Sequence, residues 1–207
     1  MVTDYRNTKY CPTLDNIEND KEILYKTISQ KHQNAEDMHP LVADKEKYKK
    51  SFAAIYNNKC AYCGVSLRLL PLNSFEIDHV RCKSSFTNSS EAGHIDNLVF
   101  SCQSCNRHKS SYLIPDNYSS VLHPDRALGT CFYRDELYNI RISPERIDDN
   151  TVKSFYDKLC FFDEVHRLDY LLMNMIGLSR RLVDKPEVKL ALTDAIEILR
   201  TKRNIVR

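Results

Sequence analysis

The chain lacks an apolar opening: "MVTDYRNTKY" is polar throughout, with no hydrophobic run behind basic residues and no small-residue cleavage site. No secretory leader is expected from it. The longest apolar stretch near the carboxyl end, "LDYLLMNMIGL", is too short and too polar to cross a bilayer, so no membrane segment is expected either. A strong charge of one sign is also missing. Thirty Lys and Arg stand against 28 Asp and Glu, a formal net charge of +2, and overall charge therefore points to no partner. Internal repeats and low-complexity tracts are absent, which leaves an ordinary folded chain of 207 residues, long enough to bury a core without disulfides.

What is present is cysteine, eight residues of it. Without a leader the protein is read as intracellular and cytoplasmic, where thiols stay reduced and paired cysteines point to metal. Basic residues gather in the final stretch (Arg180, Arg181, Lys185, Lys189, Arg200, Lys202, Arg203, Arg207), but interleaved acids favour a solvated helix face over phosphate binding.

Apolar spacing predicts a helix from about Leu14 to Ile28 and another through Tyr48, Phe52, Ile55 and Tyr56, stopped by Asn57 and Asn58. From Cys60 to about Leu113 come short elements and polar loops. "CFYRDELYNIRIS" then reads as a hairpin closed by Pro144. One long helix is expected next, from a cap at Asp149 or Asn150, along Val152, Phe155, Leu159, Phe162, Val165, Leu168, Leu172 and Met175, to an end at Gly177. A last helix opens at Pro186 and runs through Val188, Leu192, Ala195 and Leu199. These stripes are expected to be core. Three segments follow: 1–58 helical, 59–114 a compact module, and 115–207 a hairpin with helices.

Two Cys-x-x-Cys pairs, "CAYC" (Cys60, Cys63) and "CQSC" (Cys102, Cys105), supply four thiolates. Such a set suits tetrahedral Zn²⁺ with no open position, a site that holds structure and does no chemistry. Coincidence or a redox dithiol would leave the shared spacing unexplained. Gly64 fits the positive-φ backbone of a metal knuckle. The gap between the pairs is far longer than the roughly 15–20 residues of a zinc ribbon, so something folded sits inside the clamp. Cys11, Cys82, Cys131 and Cys160 lack such spacing and are read as ordinary thiols.

Inside lie "FEIDHV", which alternates Phe75, Ile77 and His79 with Glu76, Asp78 and Val80 as a strand does, and "LVFS", a second short strand. A helix is expected from about Gln103 to Leu113, with Asn106, Lys109 and Leu113 on one face. The series "CAYCG", "IDHV", "DNLVFSCQSCNRHK" resembles the HNH endonuclease family. The resemblance covers roughly residues 60 to 110 and implies an α+β, mainly helical chain: a ββα-metal module clamped by structural zinc and flanked by helices.

Carried over residue by residue, the resemblance makes His79 the general base and Asp78 and Asn106 the ligands of a catalytic Mg²⁺, or Mn²⁺. It makes Asn97 the residue whose amide pins the loop and orients His79. Asn106 stands where many members have histidine. The chemistry is coherent: imidazole titrates near neutrality and takes a proton from water, and oxygen donors suit a hard cation that neutralises a scissile phosphate. One geometric condition applies. Neighbours on a regular strand face opposite ways, so the strand must end or twist at Asp78 if that residue and His79 are to share a pocket; otherwise Asp78 faces solvent. His108 should point away from Asn106, and His94 is read as structural. Arg81, Lys83, Arg107 and Lys109 flank the pocket as contacts to a polyanion, Lys109 foremost.

Nuclease activity, read as acting on DNA, competes with a zinc-clamped nucleic-acid binder or a protein-docking module without catalysis. In layout the chain is also similar to stand-alone HNH effectors of bacterial restriction and anti-phage systems, including the Septu type. That likeness implies an ATPase partner.

Overall fold

The computed structural model describes residues 4–182 and 184–206, the side chain of Ser89 excepted; Met1 to Thr3 and Arg207 lie outside it. Three helices lead in: α1 (Ile17–Lys31), α2 (His39–Asp44) and α3 (Glu46–Ile55). Spacing alone foretold α1 and α3; α2 is too short to show a period. Asn57 and Asn58 take φ of 52° and 60°, the left-handed conformation that asparagine tolerates and that stops α3.

Next come β1 (Phe75–His79), α4 (Ser89–Ala92), β2 (Leu98–Cys102) and α5 (Gln103–Lys109). The strands pair antiparallel in a register that sets Ile77 against Phe100, Asp78 against Val99 and His79 against Leu98. The expected extension of α5 to Leu113 is corrected. Ser110 takes φ 48°, the helix stops at Lys109, and Leu113 is exposed, so it shares no buried face with Asn106.

A four-residue helix, α6 (Leu128–Cys131), precedes the hairpin β3 (Phe132–Arg134) and β4 (Ile140–Ile142). The single long helix is corrected to two, α7 (Asn150–Lys158) and α8 (Glu164–Ser179). Cys160 takes φ 51° at the break; Phe161 turns into the core at 1 % exposure and Phe162 is left outside at 57 %. Asp149 caps α7 as expected, accepting from the amides of Thr151 and Val152. Gly177 does not end α8. A β-carbon there would lie 2.7 Å from the Tyr10 backbone oxygen, so the glycine permits a close crossing inside the helix.

The last helix, α9 (Pro186–Ile205), packs on α8. Most of its charges are solvated, but Arg203 is buried and donates to the buried Asp169. No helix among the described residues is long and apolar enough to cross a membrane.

One buried cluster takes in Ile28 and Phe52 of the first helices, Phe75 and Phe100 of the β1–β2 pair, and Phe132 and Phe155 beyond it. The module is thus packed into the same core as its flanks. A buried ion pair reinforces the packing: Lys21 on α1 meets Asp125 at 2.5 Å, and Tyr56 donates to the same carboxylate.

His166 is buried with its ring perpendicular to that of Phe161, and burial lowers its pKa to about 4. The folded state therefore refuses a proton that the unfolded chain takes up near pH 6.5, and this contribution to stability is lost as pH falls from about 6.5 toward 4. We expect His166→Gln to flatten the pH dependence of urea unfolding in that window. An unchanged slope would remove His166 from the account.

Candidate metal clamp and active site

Cys60 and Cys63 sit in the knuckle that follows α3, Cys102 ends β2 and Cys105 lies on the first turn of α5. All four are buried, and their sulfurs lie within 4.8 Å of one another. Cys63 Sγ and Cys102 Sγ are 3.8 Å apart. Four sulfurs about 2.3 Å from a central zinc stand about 3.8 Å apart, so the cage fits the ion. Gly64, at φ 80°, lets the knuckle turn where a β-carbon would come within 2.6 Å of the Arg6 carbonyl oxygen. Residues before α1 grip the same turn: Tyr5 donates to the Tyr62 carbonyl, and Arg6 Nη1 to the Ala61 carbonyl at 2.6 Å.

On β1 the two faces do different things. Glu76 and Asp78 project toward α5, where Asn106 Nδ2 donates to Glu76 Oε2 at 2.6 Å and Lys109 Nζ meets Asp78 Oδ1 at 3.1 Å. Tyr62, from between the first two cysteines, donates to Asp78 Oδ2 at 2.6 Å. Burial raises the Asp78 carboxyl above its ordinary pKa, opposed by the Lys109 charge and the Tyr62 hydroxyl.

His79 faces the other way. Its ring stacks on that of His39 from α2, centroids 4.4 Å apart and planes 25° from parallel. His79 Nε2 is buried with no hydrogen-bond partner among the described residues. Burial first, then the neighbouring His39 and Lys83, lower the His79 pKa to about 4, so the imidazole is neutral at pH 7. A neutral ring carries one bare nitrogen ready to accept a proton.

β1 ends at His79 itself, which still pairs with Leu98 in register, so Asp78 and His79 leave the strand on opposite sides. The expectation of one face shared by the Asp78 and His79 side chains is therefore corrected, and so is its alternative, since Asp78 is 6 % exposed and not turned to solvent. What the two residues share is Lys109, whose ammonium also donates to the His79 main-chain carbonyl at 2.8 Å. Lys109, read as the foremost phosphate contact, is corrected as well: at 1 % exposure it is an internal counter-ion. Removing one partner of a buried pair strands the other charge, so Lys109→Met should cost about 3–5 kcal/mol in urea unfolding. Adding Asp78→Leu should recover part of that loss; a fully stable single variant would contradict the pairing.

Asn97 holds the turn after β1. Its Oδ1 accepts from the Arg81 amide at 2.9 Å, and its Nδ2 donates to the carbonyls of Arg81 at 3.1 Å and Ala92 at 2.8 Å. Arg81 is engaged by Asp116 at 2.7 Å and lies over the Phe86 ring. Lys83, Arg107 and His108 are exposed. His94 caps a turn by accepting from the Asp96 amide.

Three residues of the site went unread in the sequence. Glu76 was legible, since period two puts it on the Asp78 face. Tyr62 and His39 were not, because their partners are distant in the chain.

Asp78, Glu76 and Asn106 bring oxygen-bearing side chains to the β1–α5 contact; both Asp78 oxygens are engaged, by Lys109 and Tyr62, and the Asn106 Oδ1 has no partner among the described residues. This all-oxygen set fits a hard divalent ion. Asp78 would have to give up its contact with Lys109 to hold such an ion.

Residues 60–111 match the family model for HNH endonuclease. No curated protein and no solved structure matches the chain. The matched segment begins at the first clamp cysteine and closes just past α5, the bounds of the strand–strand–helix unit that the four thiols enclose. From its first clamp cysteine to the end of that helix, this chain carries an HNH endonuclease module.

Proposed function

We propose that the protein is a metal-dependent endonuclease that hydrolyses phosphodiester bonds of DNA, with Zn²⁺ in the four-thiolate clamp and Mg²⁺ or Mn²⁺ at the oxygen donors. The observation that carries this reading is the place of His79, at the end of a strand inside an HNH module, with a ring nitrogen that has no hydrogen-bond partner among the described residues; burial, with His39 and Lys83 nearby, lowers its pKa and favours the neutral imidazole.

In this reading His79 takes the proton from the attacking water. Asn97 fixes the backbone just beyond it, so that the ring leaves the strand at a set angle. Asp78 and Asn106 would hold the divalent ion on the α5 side of β1, with Glu76 as a further oxygen donor; because His79 is the last residue of the strand, base and ion would meet at one phosphate only around the strand's end. Bound there, the ion supplies charge neutralisation at the phosphate. Exposed Lys83 and Arg107 draw in the polyanion.

Cleavage of supercoiled plasmid with Mg²⁺, wild type beside His79→Ala, tests the reading. Equal cleavage by both discards the base. DNA binding without cleavage by the wild type favours the alternative, a zinc-clamped binding module. The setting we propose is that of an effector in a bacterial restriction or anti-phage system beside an ATPase. Similarity of layout supports it, and copurification of a stoichiometric ATPase is the check.

A further inference from the structure

The matched module begins at Cys60, yet the residue that touches the flat face of His79 comes from well before it. His39 opens α2, and three contacts fix its place. Its amide donates to Asp37 Oδ1 at 2.9 Å. The preceding amide, Met38, donates to the Gly93 carbonyl at 3.1 Å. Its ring Nε2 meets the Ile77 carbonyl at 3.1 Å, a contact in which the ring nitrogen must be the donor. The loop that receives Met38 is the one Asn97 ties to Arg81 through Ala92. α2 is thus held between β1 and that loop, with its first side chain against the His79 ring.

We propose that His39 is a positioning residue for His79, its ring clamping the imidazole face while its Nε2–H is anchored on the β1 backbone, so that the amino-terminal helical segment completes the nuclease site. This inference rests on the reading of His79 as the base. Stacking leaves His79 free to slide in its plane but resists tilting, and a small misplacement of a catalytic group costs far more than the contact itself stabilises. A metal site shared by the two rings does not fit. Stacked imidazoles do not converge their nitrogens on one point, and the His39 Nε2 is already engaged by the Ile77 carbonyl.

The test uses the full zinc-loaded chain, plasmid cleavage with Mg²⁺, and the ring-proton resonances of His79. We expect His39→Ala to lower kcat by roughly 10- to 100-fold with KM within about twofold. His39→Phe keeps a ring in place and should restore most of the loss; His39→Gln keeps a donor for Ile77 but no ring and should not. The ring-current displacement of the His79 protons should vanish in the alanine variant and persist in the phenylalanine one, with zinc content and Tm unchanged. The inference is overturned by a wild-type kcat in His39→Ala, by a loss confined to KM and Tm, by equal loss in the Ala and Phe variants, or by unmoved His79 resonances. His79→Ala separates the two levels. If it cleaves like wild type, the base and this inference fall together; if it is inactive beside a fully active His39→Ala, the base stands and this inference alone falls.

Discussion

Cys105→Ser, or removal of the clamp ion by a chelator, is expected to unfold the module rather than merely slow it. Cys105 joins the first turn of α5 to a knuckle more than 40 residues earlier in the chain, and the four sulfurs are buried together. Without the ion, four buried thiols face one another with nothing to hold them together. Apparent zinc-binding energies in small zinc domains are about 10–16 kcal/mol, comparable to or larger than the whole stability of an ordinary domain. The measurement is metal content by mass spectrometry together with thermal unfolding. One zinc per chain is expected in the wild type, less in the variant, with a collapse of cooperative melting. Because the module shares its core with Phe52 and Phe155, unfolding should spread to the flanking helices. A metal-free variant that keeps the wild-type Tm would show that the core alone holds the fold and that the clamp is incidental.

The second large effect concerns chemistry. His79→Ala should lower plasmid cleavage by about 10²–10⁴-fold, the usual worth of a general base. Stability should change little, since the ring is partly exposed and gives up only its stack on His39. It should even gain slightly, because the variant no longer buries an unpaired Nε2. This opposition of effects distinguishes a catalytic group from a structural one. Lys109→Met is its mirror: a large loss of stability from the stranded Asp78, whatever happens to the rate. Finding the two variants alike, both unstable and both slow, would undo the division of labour assigned to the two faces of β1.

Much of the site was legible because its signals are local. Cys-x-x-Cys spacing is set by the reach of a knuckle around one ion, alternation in "FEIDHV" by the pleat of a strand, and the cap at Asp149 by the free amides of a helix start. The break at Cys160 escaped because a three-and-four apolar spacing continues across it; only packing decides whether Phe161 or Phe162 enters the core. The early end of α5 escaped for a similar reason, since Ser110 carries no strong stop signal. Lys109 was misread because a lysine beside a proposed active site looks like a phosphate contact until its burial is known. His39 could not have been found at all: nothing in "DMHPL" announces a partner 40 residues away.

The amino-acid sequence by itself determined the clamp, the order strand–strand–helix within it, and the kinds of side chain offered to a reaction, because each depends on short-range covalent spacing. Only the tertiary structure decided which way those side chains face. The regular register of β1 with β2 sends Asp78 to Lys109 and Tyr62 on one side and His79 to His39 on the other. That choice belongs to the pleat and to what packs on each face, and no run of neighbouring residues contains it.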